Sequence, residues 1–196
     1  MNAIPANTLI LVAILVAAVL AAIIWASVQR QRSLRLKRRY GPEYELMVAR
    51  LGSRSKAEAE LMRRERHVAG LSIVTLSAAD AARYSQAWAT LQGRFIDSPR
   101  SAVVEADQLV REVMEKRGYP MGDFEARAAD ISVDHPGVVS NYRAARIIAA
   151  RDSKGEADTE EMRQAVVHYR TLFDELLGVA PHPVAPVPAS RLAVNS

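Results

Sequence analysis

The sequence predicts an all-α protein with one N-terminal transmembrane helix, a compact multi-helix, bundle-like domain and a disordered Pro/Ala-rich tail. Three observations predict this class: an uncharged apolar run near the N-terminus, apolar residues recurring every three or four positions further on, and a proline-rich end. The predicted segments are a short extracytoplasmic N-terminus (1–8), a transmembrane helix (9–27), a basic juxtamembrane segment (28–41), an α-helical cytoplasmic domain (42–178) and the tail (179–196).

The predicted transmembrane helix carries no charged residue between Leu9 and Ser27. At 1.5 Å per residue its nineteen positions span about 28 Å, close to the hydrocarbon thickness of about 30 Å. A cleaved signal peptide is the alternative, but residues 1–8 lack Lys and Arg, and the apolar run is longer than a typical signal core. The pattern therefore favours an uncleaved anchor.

A basic block follows the apolar run and predicts its orientation. Because positive residues stay on the cytoplasmic side, the N-terminus is expected outside the cell and the domain in the cytoplasm. The block serves as a topology signal alone, or it also contacts anionic lipid headgroups near residues 30–39. Its members are Arg30, Arg32, Arg35, Lys37, Arg38 and Arg39.

Charge distribution argues against nucleic acid as a partner. The chain has a pI near 9.6, yet residues 40–178 hold nineteen Lys and Arg against all twenty-two Asp and Glu, a net charge of −3. The basicity is therefore local to the juxtamembrane block, whereas nucleic-acid-binding domains carry a basic face.

Small residues four apart in the apolar run allow helices to approach closely, so self-association is a further expectation. They form two neighbouring stripes, Ala13, Ala17 and Ala21, and Ala18, Ala22 and Ala26.

The first helices of the domain are predicted from breakers and caps. Gly41-Pro42 separates the anchor from a helix over about 43–51, and a capping box at Ser55–Glu58 predicts the next helix. The charged run 63–66 in that helix predicts a solvated face, and 72–76 predicts an extended connector.

The later helices each show an apolar stripe. Ser77 opens a helix whose aromatic stripe predicts core packing rather than a cofactor site, and Pro99 opens the next. At most two helical turns follow Asp123, Asp134 is predicted to cap the following helix, and Asp158 or Thr159 caps the last. The predicted inward residues are Ala81, Tyr84, Trp88, Leu91 and Phe95; Val103, Ala106, Val110, Val113 and Met114; Val139, Tyr142, Ala145, Ile148 and Ala149; and Met162, Val166, Tyr169, Phe173 and Leu176.

Signatures of catalysis are absent from the sequence. There is no cysteine, no glycine-rich phosphate loop and no G-x-S-x-G motif. Of four histidines, only His135, beside Asp134, and His168 are placed where they could join a site, and no pair has helical metal-ligand spacing. We therefore predict no catalytic residue, no cofactor and no metal site.

Two Tyr-Arg pairs, Asn141-Tyr142-Arg143 and His168-Tyr169-Arg170, predict a packed pair of helices that exchange polar contacts. Polar and aromatic residues on these and neighbouring segments are the candidates for an interaction surface: Tyr119, Asp134, His135, Arg143, His168 and Arg170.

Five strings give the chain a resemblance: Y-G-P-E-Y, R-G-Y-P-M-G-D-F, S-V-D-H-P, N-Y-R-A-A and H-Y-R-T-L-F-D-E-L-L. Over about residues 40–177 the sequence resembles a family of uncharacterised single-span bacterial membrane proteins with a helical cytoplasmic domain. The resemblance implies this architecture, but it implies no activity and no site residues.

The functional expectation is a membrane-tethered helical interaction or scaffold module at the inner face of a bacterial membrane, without catalysis and with a protein partner. A helical domain that binds a small ligand or senses stress is the alternative. An enzyme with an unrecognised site around His135 and His168 comes third.

Overall fold

The computed structural model describes the backbone of residues 6–178 and the side chains from Ile14 to Gly178. This part of the chain forms eight α-helices and no strand, so the predicted all-α class, an apolar N-terminal helix followed by a helical domain, is confirmed. The predictions for the tail and for residues 1–5 lie outside the described residues. The helices are α1 Ala6–Tyr40, α2 Pro42–Leu51, α3 Arg54–Ala69, α4 Ala78–Arg94, α5 Pro99–Lys116, α6 Phe124–Asp134, α7 Val139–Asp152 and α8 Thr159–Leu177.

Helix α1 is continuous over 35 residues, so the apolar run and the basic block belong to one helix. Among the described residues it is the one helix long and apolar enough to cross a membrane. It ends at Tyr40 because Gly41 turns the chain with φ of 48° and Pro42 opens α2. The predicted break at Gly41-Pro42 is therefore confirmed.

The described helices fall into two compact units. Unit 1 comprises the chain up to Gly70 together with residues 129–140. In it, α2 packs on α3, and both contact the C-terminal end of α1. Packed side chains begin ahead of the predicted domain boundary at residue 42, since Leu36 and Tyr40 are buried. The core comprises Leu36, Tyr40, Tyr44, Met47, Ala57 and Leu61.

Unit 2 comprises residues 71–128 and 141–178, and α5 lies against both α4 and α8. Trp88 of α4 is fully buried, with its ring centroid 4.6 Å from that of Phe173 on α8. The core reading of the aromatic stripe is thus confirmed. The buried members of the predicted stripes are Tyr84, Trp88 and Leu91; Val103, Ala106, Val110, Val113 and Met114; Val139, Tyr142 and Ala145; and Met162, Val166, Tyr169, Phe173 and Leu176.

Several predicted helix ends are confirmed by cap geometry. The Ser77 side chain accepts a hydrogen bond from the Asp80 N–H, and Asp158 forms a reciprocal capping box with Glu161. Pro99 occupies the first turn of α5, and Gly178 closes α8 in the left-handed conformation.

Two predicted caps are wrong. Helix α3 begins at Arg54, so Ser55 lies within its first turn rather than at its N-cap. Helix α6 runs for eleven residues, longer than the two turns predicted, and Asp134 is its last residue instead of the N-cap of α7. The helix continues because Ile131 is fully buried and the His135 N–H still bonds its carbonyl; Pro136 follows and disfavours further helix.

The connector between α3 and α4 forms neither helix nor strand, and it is tied to the end of α5. The Val74 N–H donates to the Arg117 carbonyl at 2.8 Å, and Arg117 Nε donates back to the Val74 carbonyl. Gly118 follows with φ of 92°, and a Cβ there would lie 2.6 Å from the Ser72 carbonyl oxygen. Only glycine fits this close backbone approach.

Candidate functional site

Three residues of the basic block connect α1 to the helices packed against it. Glu65 of α3 accepts from Arg35 at 2.6 Å and faces Arg39 at 3.2 Å. Lys37 pairs with Glu45 of α2 at 2.8 Å, and Arg39 also donates to the Val133 carbonyl at 3.0 Å. This half of the block therefore joins α1 to its neighbours within unit 1, a use that a topology signal alone does not require.

All six residues of the block are exposed, but only three of them are paired in the part of the chain that the structure describes. Arg30, Arg32 and Arg38 make no ion pair within the described residues. Beside them lies an open groove of about 660 Å³ between α1 and α3. It is lined by Arg32, Arg35, Leu36, Met62, Glu65, Arg66 and Ala69.

Beneath this surface, a buried ion pair joins α2 to α3. Arg64 Nη1 lies 3.1 Å from Glu43 Oε1, and the two side chains are only 8% and 2% exposed. The guanidinium also bonds Glu60 at 3.1 Å, Ser132 Oγ at 3.4 Å and Met47 Sδ at 3.3 Å. A buried charge requires such partners, so removing one of them is expected to destabilise the fold.

The prediction of a solvated face for residues 63–66 is therefore wrong at Arg64. Arg63 and Arg66 are exposed, whereas Arg64 falls on the inner stripe with Leu61 and Val68. The helical spacing of these residues is the signal by which the buried arginine could have been found.

Next to this pair, Asp130 is buried, with Oδ1 3.6 Å from His67 Nε2. Burial raises the pKa of the Asp130 carboxyl, and this outweighs the opposing effects of His67, Arg64 and Arg63. The folded state therefore holds a proton on Asp130 more tightly than the unfolded chain does.

Because this pKa is raised, we expect the stability of the Asp130→Asn variant, relative to that of the wild type, to increase as the pH rises. A raised carboxyl pKa contributes stability below the unfolded pKa of about 3.9, and that contribution is lost as the pH rises through the folded pKa. Melting temperatures at pH 4 and pH 7 test this: the difference between variant and wild type should be more favourable at pH 7. A larger loss of stability at pH 7 than at pH 4 would mean that the folded protein stabilises the Asp130 carboxylate, which contradicts the prediction.

In unit 2, the two Tyr-Arg segments pack together as predicted. His168 Nδ1 lies 2.9 Å from Asn141 Oδ1, and the rings of Tyr142 and Tyr169 meet edge-on at 6.4 Å. The Tyr169 hydroxyl donates to Asp107 at 3.1 Å. Burial raises the pKa of both tyrosines, so their hydroxyls stay protonated and act as structural hydrogen-bonding groups at neutral pH.

The six candidate surface residues are placed in different environments. Tyr119 is only 3% exposed, so its ring belongs to the interior of unit 2. Arg143 bonds Glu125, and Arg170 bonds Asp174 while lying 5.5 Å from the Trp88 ring centroid. Asp134 is exposed at the end of α6. These contacts give Arg143 and Arg170 structural uses in unit 2.

The histidines of the third hypothesis fall in different units, His135 in unit 1 and His168 in unit 2. Burial lowers the pKa of His168, which favours the neutral imidazole hydrogen-bonded to Asn141. Between residues 14 and 178, no group of three or more Asp, Glu or His is arranged to hold a metal ion.

Comparison of the chain with family models, with curated proteins and with solved structures finds no match.

Proposed function

We propose that the chain is a single-pass protein of a bacterial cytoplasmic membrane that holds a helical interaction or scaffold module, without catalysis, at the inner face. One observation carries the proposal: α1 is apolar enough to span a membrane at its N-terminal end and contributes buried Leu36 and Tyr40 to a folded core at its other end. A helix of this kind ties unit 1 to the bilayer without a flexible linker.

The orientation follows from the basic block at residues 30–39, because positive residues are retained in the cytoplasm. A protein partner is proposed because residues 40–178 carry a net charge of −3 and no catalytic signature. Binding of a small ligand is the second candidate, since the groove between α1 and α3, at about 660 Å³, has the volume of a ligand site.

Because the chain has no cysteine, topology can be tested with single cysteines. We expect a membrane-impermeant maleimide to label Asn2→Cys in spheroplasts. It should label Ser85→Cys, at an exposed position of α4, only after permeabilisation. The detergent-permeabilised sample of each variant controls for reactivity. The reverse labelling would place the module outside and overturn the proposal.

The partner is tested by in-cell crosslinking of the full chain and mass spectrometry. The same chain with residues 9–27 replaced by an unrelated transmembrane segment serves as the control. If the native chain and the control chain both crosslink to the same protein, the result supports an interaction module. If neither chain crosslinks to a specific protein, the result counts against it.

A further inference from the structure

The groove between α1 and α3 has an apolar floor and basic walls. Met62 and Ala69 of α3 supply most of the apolar surface, because Leu36 of α1 is only 2% exposed. Arg35 is held by Glu65, so the net positive charge of the walls is provided by Arg32 and Arg66. Neither of these two makes an ion pair within the described residues, and Arg66 bonds only its own helix, at the Met62 carbonyl.

This charge pattern is complementary to a phosphate that carries an apolar group. Guanidinium groups bind phosphate oxygens through charge-assisted hydrogen bonds, often in pairs. An apolar floor next to two such groups is suited to the glycerol and the first methylenes of a lipid, which a free phosphate lacks.

One end of the groove lies at headgroup height along α1. Arg32 is five residues beyond Ser27, about 7.5 Å past the apolar run, whereas Leu36, at about 13.5 Å, lies further toward the cytoplasm. The polar headgroup layer extends about 5–8 Å beyond the hydrocarbon, and an arginine side chain reaches back toward it. The Arg32 end of the groove is thus within reach of lipid headgroups.

We propose that the groove formed by Arg32, Leu36, Met62, Arg66 and Ala69 binds the headgroup of one anionic phospholipid. This inference rests on the proposed membrane anchor and adds to it a defined lipid site that includes α3. It differs from general attraction of the basic block, because Arg66 lies outside that block in sequence.

The test is native mass spectrometry of the detergent-solubilised full chain with phosphatidylglycerol or phosphatidylcholine of equal chain length. We expect one phosphatidylglycerol to bind about tenfold more tightly than phosphatidylcholine. Arg32→Gln with Arg66→Gln should remove most of this preference. Ala69→Glu, which puts a carboxylate in the groove and keeps both arginines, should remove it as well.

The matched control is Arg30→Gln with Arg54→Gln, which also removes one exposed charge from α1 and one from α3, outside the groove. It should keep the preference within about twofold. If both double variants lose the preference for phosphatidylglycerol equally, general electrostatic attraction explains the binding and the proposed site is wrong. Equally tight binding of soluble glycerol phosphate would overturn the lipid as ligand.

Circular dichroism is the check that each variant is folded. We expect all of them to fold, because all five substituted side chains are exposed. An alkaline wash of the membranes separates the two proposals. If the chain is washed off, the proposed function fails; if it is retained while the groove variants match the control, only the lipid site fails.

Discussion

Arg64→Met is expected to lower the free energy of unfolding by about 3–5 kcal/mol, because it removes the cation that faces the buried carboxylate of Glu43. Methionine preserves most of the side-chain volume, so the loss reports on the charge rather than on a cavity. Chemical unfolding of the detergent-solubilised full chain, followed by circular dichroism, measures the effect.

Two controls show whether burial is the cause. Arg63→Met removes the neighbouring arginine, which is 67% exposed and pairs with Glu60, and should cost under about 1 kcal/mol. Adding Glu43→Leu to Arg64→Met should recover most of the stability, since an apolar pair can replace a buried ion pair. Equal losses for Arg63→Met and Arg64→Met would contradict the prediction.

Gly118→Ala is expected to destabilise the protein by about 2–4 kcal/mol. Its φ of 92° is unfavourable for alanine, and the new Cβ would lie 2.6 Å from the Ser72 carbonyl oxygen, a backbone atom that cannot simply rotate away. Hydrogen exchange at the Val74 amide, which bonds the Arg117 carbonyl, should rise together with the loss of stability.

Gly93→Ala is the matched control, because Gly93 lies in the last turn of α4 with open space around its Cβ position. Alanine there should stabilise the protein by about 0.5–1 kcal/mol. If both substitutions change stability in the same direction and by similar amounts, the close approach at Gly118 does not matter and the interpretation is wrong.

The helices and their inner faces were predictable because they depend on local signals. Apolar spacing identified the buried stripes, and Ser77, Pro99 and Asp158 identified three helix starts. The start of α3 was missed because Ser55 and Glu58 fit a capping box, although the helix begins earlier, at Arg54.

The contacts of the candidate site were not predictable, because they join residues far apart in the chain. Arg35 pairs with Glu65 thirty residues later, and Arg64 reaches Ser132 across sixty-eight positions. The composition of the charged run 63–66 does not indicate which member turns inward. Only the spacing of Arg64 from Leu61 and Val68 distinguishes it from its neighbours.

The unbroken course of α1 also fixes a rotational register. Ala18 precedes Leu36, and Ala22 precedes Tyr40, by eighteen residues, which is five turns of an α-helix. Ala18 and Ala22 therefore point in the same direction as Leu36 and Tyr40, the two side chains that enter the core of unit 1. Any turn of the apolar segment about its own axis turns Leu36 and Tyr40 through the same angle. Rotation of the apolar segment about its axis and the packing of Leu36 and Tyr40 in unit 1 are therefore coupled, and neither can change without the other.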